Sequence, residues 1–169
     1  MQREQLSIPK LLCYALLVLA VYVVQTSLLG AWSFRGYHLD LLPAFVAAAA
    51  LWDGPMEGAV TGIIVGVFYD LGFIGIDGLY PLFFLLFGLV AGALSRLALS
   101  RSYVSMLMMN ACEMVLLGLL RYLVYLLPQK GASFSLVLQQ VVGGTLLSCL
   151  LCFIVYWPVG RISRRFGTH

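Results

Sequence analysis

The chain has 169 residues, of which 62% are hydrophobic and only 10% are charged, and its formal net charge is +3. A soluble domain carries about 25% charged residues because its surface must be hydrated, so this composition excludes an ordinary soluble domain. It favours a single membrane domain, since each crossing of the hydrocarbon needs about 20 apolar residues. The basic residues lie at the ends of apolar runs, as orientation signals do. The positive charge therefore indicates no nucleic-acid partner.

Six apolar segments predict an all-α integral membrane protein, a bundle of about six transmembrane helices. They cover residues 11–29, 39–52, 55–74, 79–97, 103–127 and 134–157, so the whole chain, 1–169, forms one transmembrane domain. The second segment holds some fourteen residues, which is short for a crossing. It is expected to be tilted, to lie in locally thinned bilayer, or to be shielded by its neighbours. The turn Asp53-Gly54-Pro55 makes the second and third segments a tight antiparallel hairpin.

The distribution of lysine and arginine sets the orientation. With the N-terminus inside, seven basic residues lie on the cytoplasmic side and two lie outside. The seven are Arg3, Lys10, Arg96, Arg101, Arg161, Arg164 and Arg165; the two are Arg35 and Lys130. This bias predicts an inner-membrane protein with both termini in the cytoplasm.

Glycine recurs at every fourth position along the third segment and again in the fourth. The positions are Gly54, Gly58, Gly62 and Gly66, with Asp70 continuing the row, and then Gly88 and Gly92. On a helix such a row is a stripe without side chains, which allows another backbone to approach closely. The stripe predicts tight helix packing, either within this chain or against a helix of a partner.

Three ionisable residues lie inside the predicted membrane segments: Asp70, Glu113 and Arg121. Each costs about 2.5–3.5 kcal/mol at the middle of the bilayer, so each requires compensation. Glu113 and Arg121 are two helical turns apart and cannot fully satisfy each other. A buried pair between Asp70 and Arg121 near the outer leaflet is the preferred structural interpretation. A proton relay and a solute site are the functional alternatives.

The sequence contains no intramembrane histidine, no nucleophile motif and no phosphate-binding loop. Cys149 and Cys152 form a C-x-x-C inside an apolar stretch, with no second pair to complete a zinc site, which favours a packing role. We therefore expect a protein that is not an enzyme and that has no catalytic residue, cofactor or metal site.

Four motifs, taken in order over residues 25–96, resemble the family of the rod shape-determining protein MreD. They are Gln25-Thr26-Ser27-Leu28-Leu29, Leu39-Asp40-Leu41-Leu42, Gly54-Pro55 with Gly58, Gly62, Gly66 and Asp70-Leu71, and Gly78 with Gly88, Gly92 and Arg96. The family often has proline just before the aspartate of the second helix, where this chain has Leu39 and places Pro43 later. The departure concerns where the second helix begins.

The resemblance implies a non-enzymatic scaffold subunit of the bacterial cell-elongation complex. Such a subunit binds MreC and, through it, the peptidoglycan synthase pair of RodA and a class B penicillin-binding protein, and the MreB filament. It also implies a fold similar to the S components of energy-coupling-factor transporters. Because a fold does not determine a function, a solute-binding subunit for vitamin or metal uptake is an alternative. A flippase-like or proton-coupled carrier that uses Asp70, Glu113 and Arg121 is another.

Overall fold

A computed structural model of the chain describes residues 8–29, 40–72, 78–97, 101–126 and 134–166. These residues form α1 (Ile8–Val24), α2 (Leu42–Asp53), α3 (Pro55–Gly72), α4 (Leu79–Leu97), α5 (Tyr103–Arg121) and α6 (Phe134–Phe166). Two π-helical turns, Gln25–Leu29 and Tyr122–Leu126, continue α1 and α5. No strand occurs within the described ranges, so the predicted all-α class is confirmed.

Among the described residues, three helices are long and apolar enough to cross a membrane. They are Pro9–Ser27, Leu79–Leu97 and Tyr103–Val124, each with a mean hydropathy of 1.7. Large apolar side chains on α4, such as Leu82, Leu86 and Leu94, are more than half exposed. Exposed apolar patches of this kind mark protein–protein or membrane interaction sites, which agrees with a membrane protein.

The short second segment forms the centre of the bundle. Helix α2 has 12 residues, about 18 Å at 1.5 Å per residue, which is well below the roughly 30 Å thickness of the hydrocarbon core. Every side chain from Leu42 to Trp52 is buried, and α2 contacts each of the other five helices. Of the three expectations for this segment, the structure shows shielding by neighbours. The run Ala47–Ala50 keeps the helix thin enough to be enclosed on all sides.

Successive helices run in opposite directions, which gives the bundle two ends. The basic end contains the start of α1, the end of α2, the start of α3 and the last turns of α6, and it is defined by Lys10, Asp53, Glu57 and Ser163. The far end contains the end of α1, the start of α2 and the ends of α3 and α5. The first and last described residues, Ile8 and Phe166, therefore belong to helix ends on the same side.

Two helices are longer than the apolar pattern predicts. Helix α1 begins at Ile8 rather than at residue 11, and α6 continues to Phe166 rather than ending at 157. The apolar pattern ends where lysine and arginine begin, but both are good helix formers. The helices therefore extend beyond the apolar stretch into a polar environment. Residues 73, 74 and 127, at the expected ends of other segments, lie outside the described ranges.

Candidate functional site

The glycine stripe of α3 packs against α4 of the same chain. A Cβ added at Gly58 would lie 2.8 Å from the carbonyl oxygen of Gly88, and one added at Gly92 would lie 2.5 Å from Cα of Pro55. A Cβ at Gly62 would overlap the backbone carbonyl of Phe84. Gly66 likewise meets the backbone of Pro81. The two helices thus touch backbone to backbone, and within this chain the stripe already has its partner.

At the basic end, Asp53 is contacted by three donor side chains from two other helices, α1 and α6. Its Oδ1 lies 2.7 Å from Nζ of Lys10 and accepts a hydrogen bond of 2.5 Å from the Ser163 hydroxyl. Its Oδ2 accepts a 2.5 Å hydrogen bond from the Tyr14 hydroxyl. Lys10 also lies 2.5 Å from Oε2 of Glu57. One cation therefore joins the carboxylates that end α2 and begin α3, and this cluster fixes four helices together.

Burial makes the basic-end cluster dependent on Lys10. The side chains of Lys10 and Asp53 are 6% and 3% exposed, while Glu57 is 20% exposed. Asp53 stands at the C-terminus of α2, where the helix dipole disfavours an anion. Two neighbouring carboxylates would also repel each other in this poorly solvated place. Lys10 offsets both effects, so its removal leaves a buried charge without compensation.

At the far end, Asp40 forms the corresponding cluster just before α2. Its Oδ2 accepts a 2.6 Å hydrogen bond from the Tyr69 hydroxyl and lies 3.4 Å from Nη2 of Arg121. Its Oδ1 accepts a 3.1 Å hydrogen bond from the Gln25 side chain, whose Oε1 accepts one from the amide of Leu41. Arg121 also donates to the Tyr69 hydroxyl. Asp40 lies at the N-terminus of α2, where the dipole favours an anion.

A second polar chain links the far-end cluster to α5 and α6. The Ser148 hydroxyl donates to the main-chain oxygen of Asp40 at 2.9 Å, and the Asn110 amide nitrogen lies 3.3 Å from that hydroxyl. Asn110 and Ser148 are fully buried. Helices α1, α3, α5 and α6, counting the π-helical turn that extends α1, thus make polar contacts at one end of α2 or the other. The Ser95 hydroxyl of α4 also donates to the main-chain oxygen of Ala50 in α2 at 3.0 Å.

The expected ion pair between Asp70 and Arg121 is wrong, because the acidic partner of Arg121 is Asp40. Arg121 pairs with Asp40, whereas Asp70 is only partly buried and accepts a 2.6 Å hydrogen bond from the amide of Gly78, at the start of α4. Adjacent helix positions point about 100° apart. Tyr69 therefore faces the bundle interior, and Asp70 faces Gly78 at the start of α4. There the positive N-terminal end of the α4 dipole stabilises the Asp70 carboxylate.

Glu113 differs from Asp40 and Asp53 in the hydrogen bonding of its carboxyl group. It is fully buried in α5, and neither of its carboxyl oxygens has a hydrogen-bond partner among the described residues. The side-chain oxygen of Asn110, one turn away, also lacks one within that part of the chain. Glu113 was expected to be a buried polar residue, and the structure places it so. An unpartnered buried carboxyl group is compatible with the interior only in its neutral form.

In both clusters the aspartate is held from several sides. Both carboxylate oxygens of Asp53 and both of Asp40 are engaged by donors from neighbouring helices. Within the described ranges, no group of three or more histidine, cysteine or acidic residues could hold a metal ion. The arrangement fixes the position of α2.

Sequence reasoning missed most of this site. Asp40 and Asp53 were noted only as parts of a motif and of a turn, and Lys10 only as an orientation signal. The available signal was an acidic residue at each end of an apolar segment too short to cross the bilayer. Nothing in the sequence indicated Tyr14 or Ser163. Several predicted residues lie outside the described ranges, and they are Arg3, Arg35, Leu39 and Lys130.

Comparison of the chain with protein-family models, with curated proteins and with solved structures found no match. A conclusion about function therefore depends on the sequence motifs and on the geometry of this bundle.

Proposed function

We propose that this chain is a non-enzymatic scaffold subunit of the bacterial cell-elongation complex, embedded in the inner membrane as a six-helix bundle with both termini in the cytoplasm. Its direct partner is MreC. Through MreC it is connected to RodA, to the class B penicillin-binding protein and to MreB. The basic end is then the cytoplasmic end, which agrees with the concentration of lysine and arginine there.

The observation that carries the proposal is the enclosure of α2. A short helix that contacts all five others and is held by an ion pair at each end gives the bundle a defined shape. A scaffold needs a defined shape because its binding faces must hold fixed positions relative to each other.

The surface available to a partner is apolar and faces lipid. Helix α4 presents a row of exposed large side chains, and so does α1. The exposed residues are Leu82, Leu86, Leu89, Val90 and Leu94 on α4, and Leu12, Leu16, Leu19 and Val23 on α1. A membrane-spanning segment of MreC would pack against such faces through van der Waals contact. The glycine stripe is excluded as the docking face, since α4 already covers it.

The test is an affinity purification in mild detergent from a bacterium that expresses the tagged chain. Recovery of MreC-like and RodA-like chains supports the proposal. An unrelated multi-helix membrane protein with the same tag is the control, because it measures nonspecific recovery. Recovery of neither partner, under conditions that preserve other membrane complexes, contradicts the proposal.

The same purification distinguishes the uptake alternative. A solute-binding subunit would co-purify with an ATPase pair or would retain a tightly bound small molecule. One cavity, beside Trp52 and Arg164, lies at the basic end, which is the cytoplasmic end under the proposed orientation.

A further inference from the structure

A cavity of about 260 Å³ opens at the basic end, between the last residues of α2 and the C-terminal half of α6. We call it the cationic pocket, and its lining residues are Trp52, Tyr156, Trp157, Gly160, Arg161 and Arg164. Small-molecule sites usually enclose about 300–1,000 Å³. The pocket is therefore large enough for a compact polar group and too small for most whole ligands.

Both arginines are positioned by aromatic rings. The Arg161 guanidinium lies 3.6 Å from the centre of the Trp157 ring, and the Arg164 guanidinium lies 5.1 Å from that of Trp52. Neither arginine forms an ion pair with a carboxylate among the described residues. Asp53, which follows the pocket residue Trp52, is occupied by Lys10, Tyr14 and Ser163. The pocket therefore holds two positive charges that no anion of the described chain neutralises.

A third donor lies at the pocket wall. Trp52 is 8% exposed, and its indole nitrogen has no hydrogen-bond partner among the described residues. A Cβ added at Gly160 would lie 3.4 Å from that nitrogen, so the donor sits directly behind the glycine that lines the pocket. Buried indole N–H groups usually have an acceptor. Two guanidinium groups and an unused N–H in one small cavity fit an anion rich in oxygen acceptors.

An exposed apolar stripe leads along α6 into the pocket. Val142, Leu146, Phe153 and Trp157 are each more than half exposed, and their spacing of four, seven and four residues places them on one face of the helix. Arg161 follows Trp157 by one further turn. An apolar stripe that ends in a pair of cations matches an amphiphile whose acyl chain lies on the helix and whose anionic headgroup enters the pocket.

From these observations we infer that the cationic pocket binds the phosphate headgroup of an anionic phospholipid from the leaflet at the basic end. Arg161 and Arg164 bind the phosphate oxygens, and Val142, Leu146 and Phe153 support an acyl chain. A free phosphate ion would use the arginines but not the stripe. An acidic segment of a protein partner would also use the arginines, and photo-cross-linking distinguishes it from a lipid. The inference goes beyond the scaffold proposal and does not depend on MreC.

The test is lipid binding by the full chain, delipidated in neutral detergent and titrated with phosphatidylglycerol or phosphatidylcholine under native mass spectrometry. We expect one phosphatidylglycerol to bind in preference to phosphatidylcholine. The double variant R161Q/R164Q should lose about tenfold or more of that affinity, because charge-assisted hydrogen bonds to phosphate are removed. The matched control is R101Q/R165Q, since both residues are exposed, neither lines the pocket, and the change in net charge is the same.

Two further measurements separate the sources of the anion. Glycerol phosphate and inorganic phosphate, added as soluble probes, should fail to displace the lipid at equal concentration. A photoreactive phenylalanine analogue in place of Phe153, activated in living cells, should cross-link lipid rather than protein. Equal binding of the two lipids, equal losses in the two double variants, displacement by soluble phosphate, or cross-linking to a protein chain would each overturn the inference. Melting temperature and elution volume check that all variants fold, and R161Q alone should give an intermediate affinity.

Discussion

Replacing Lys10 with methionine is the most informative perturbation of the basic-end cluster. Methionine keeps most of the length and the apolar stem of lysine but removes the ammonium group that lies 2.7 Å from Asp53 and 2.5 Å from Glu57. The variant leaves two neighbouring carboxylates without a cation between them, and that of Asp53 lies at the C-terminus of α2, where the helix dipole disfavours it. Among the described residues, Asp53 would retain the Tyr14 and Ser163 hydroxyls.

The size of the effect follows from burial. Lys10 and Asp53 are 6% and 3% exposed, and removing one partner of a buried ion pair costs about 3–5 kcal/mol. For a chain of this length each kcal/mol lowers the melting temperature by about 2–4 °C. Lys10→Met should therefore lower it by roughly 6–20 °C. Glu57→Gln should have a much smaller effect, about 1 kcal/mol, because Glu57 is 20% exposed and Lys10 still pairs with Asp53.

The assay is thermal unfolding of purified variants in one detergent, followed by the loss of monodispersity on size-exclusion chromatography. Arg101→Met is the control, since it removes an exposed cation from the same end. The double variant Lys10→Met/Asp53→Asn should be more stable than Lys10→Met alone, because the uncompensated charge is removed as well. The expected decrease in melting temperature is at least about 6 °C. A Lys10→Met protein that melts within about 2 °C of wild type, or at the same temperature as the Arg101 control, would therefore refute the reasoning about this cluster.

Three further substitutions test the rest of the bundle by the same unfolding assay. Gly62→Leu should prevent folding or lower stability by more than about 3 kcal/mol, because the new side chain meets the Phe84 carbonyl. The control Val67→Leu, on the exposed face of α3, should be neutral. Equal behaviour of the two variants would count against the α3–α4 contact. Asp40→Asn and Arg121→Met should each destabilise, and the double variant should lose less than the sum, so strict additivity would argue against their ion pair. Glu113→Gln should leave stability unchanged or raise it, because a neutral carboxyl is replaced by a neutral amide, and a large loss of stability would show that the ionised form is required.

Periodicity and apolar length were sufficient to predict the helices and a close backbone approach along the glycine stripe, but not that α4 makes that approach. Glycine at every fourth position has a direct physical meaning, because only a helix face without side chains lets backbones touch. Gly58 meets the backbone of Gly88, and Gly62 and Gly66 meet the α4 backbone at Phe84 and Pro81. Whether the stripe would be covered by this chain or by a partner could not be decided from the sequence, since the pattern is the same in both cases.

The ion pairs could not be predicted in the same way. Two acids, Asp40 and Asp70, lie near the same end of the bundle, and charge alone does not tell which one meets Arg121. The choice depends on which face of α3 turns inward, and in the structure that face carries Tyr69. At the other end, the partners of Asp53 come from residues 43 positions earlier and 110 positions later. Such pairings arise only when the helices are packed.

The central claim is that lipid surrounds this bundle while α2 is enclosed within it, and residue-resolved labelling in the membrane tests that claim most directly. A lipid-soluble diazirine is activated in membranes that contain the chain, and the labelled positions are identified by mass spectrometry. We predict strong labelling at Leu82, Leu86 and Leu94 of α4, which are more than half exposed, and none from Ala44 to Leu51 of α2, which are at most 3% exposed. Labelling of α2 at the level of α4, or an unlabelled α4, would contradict it.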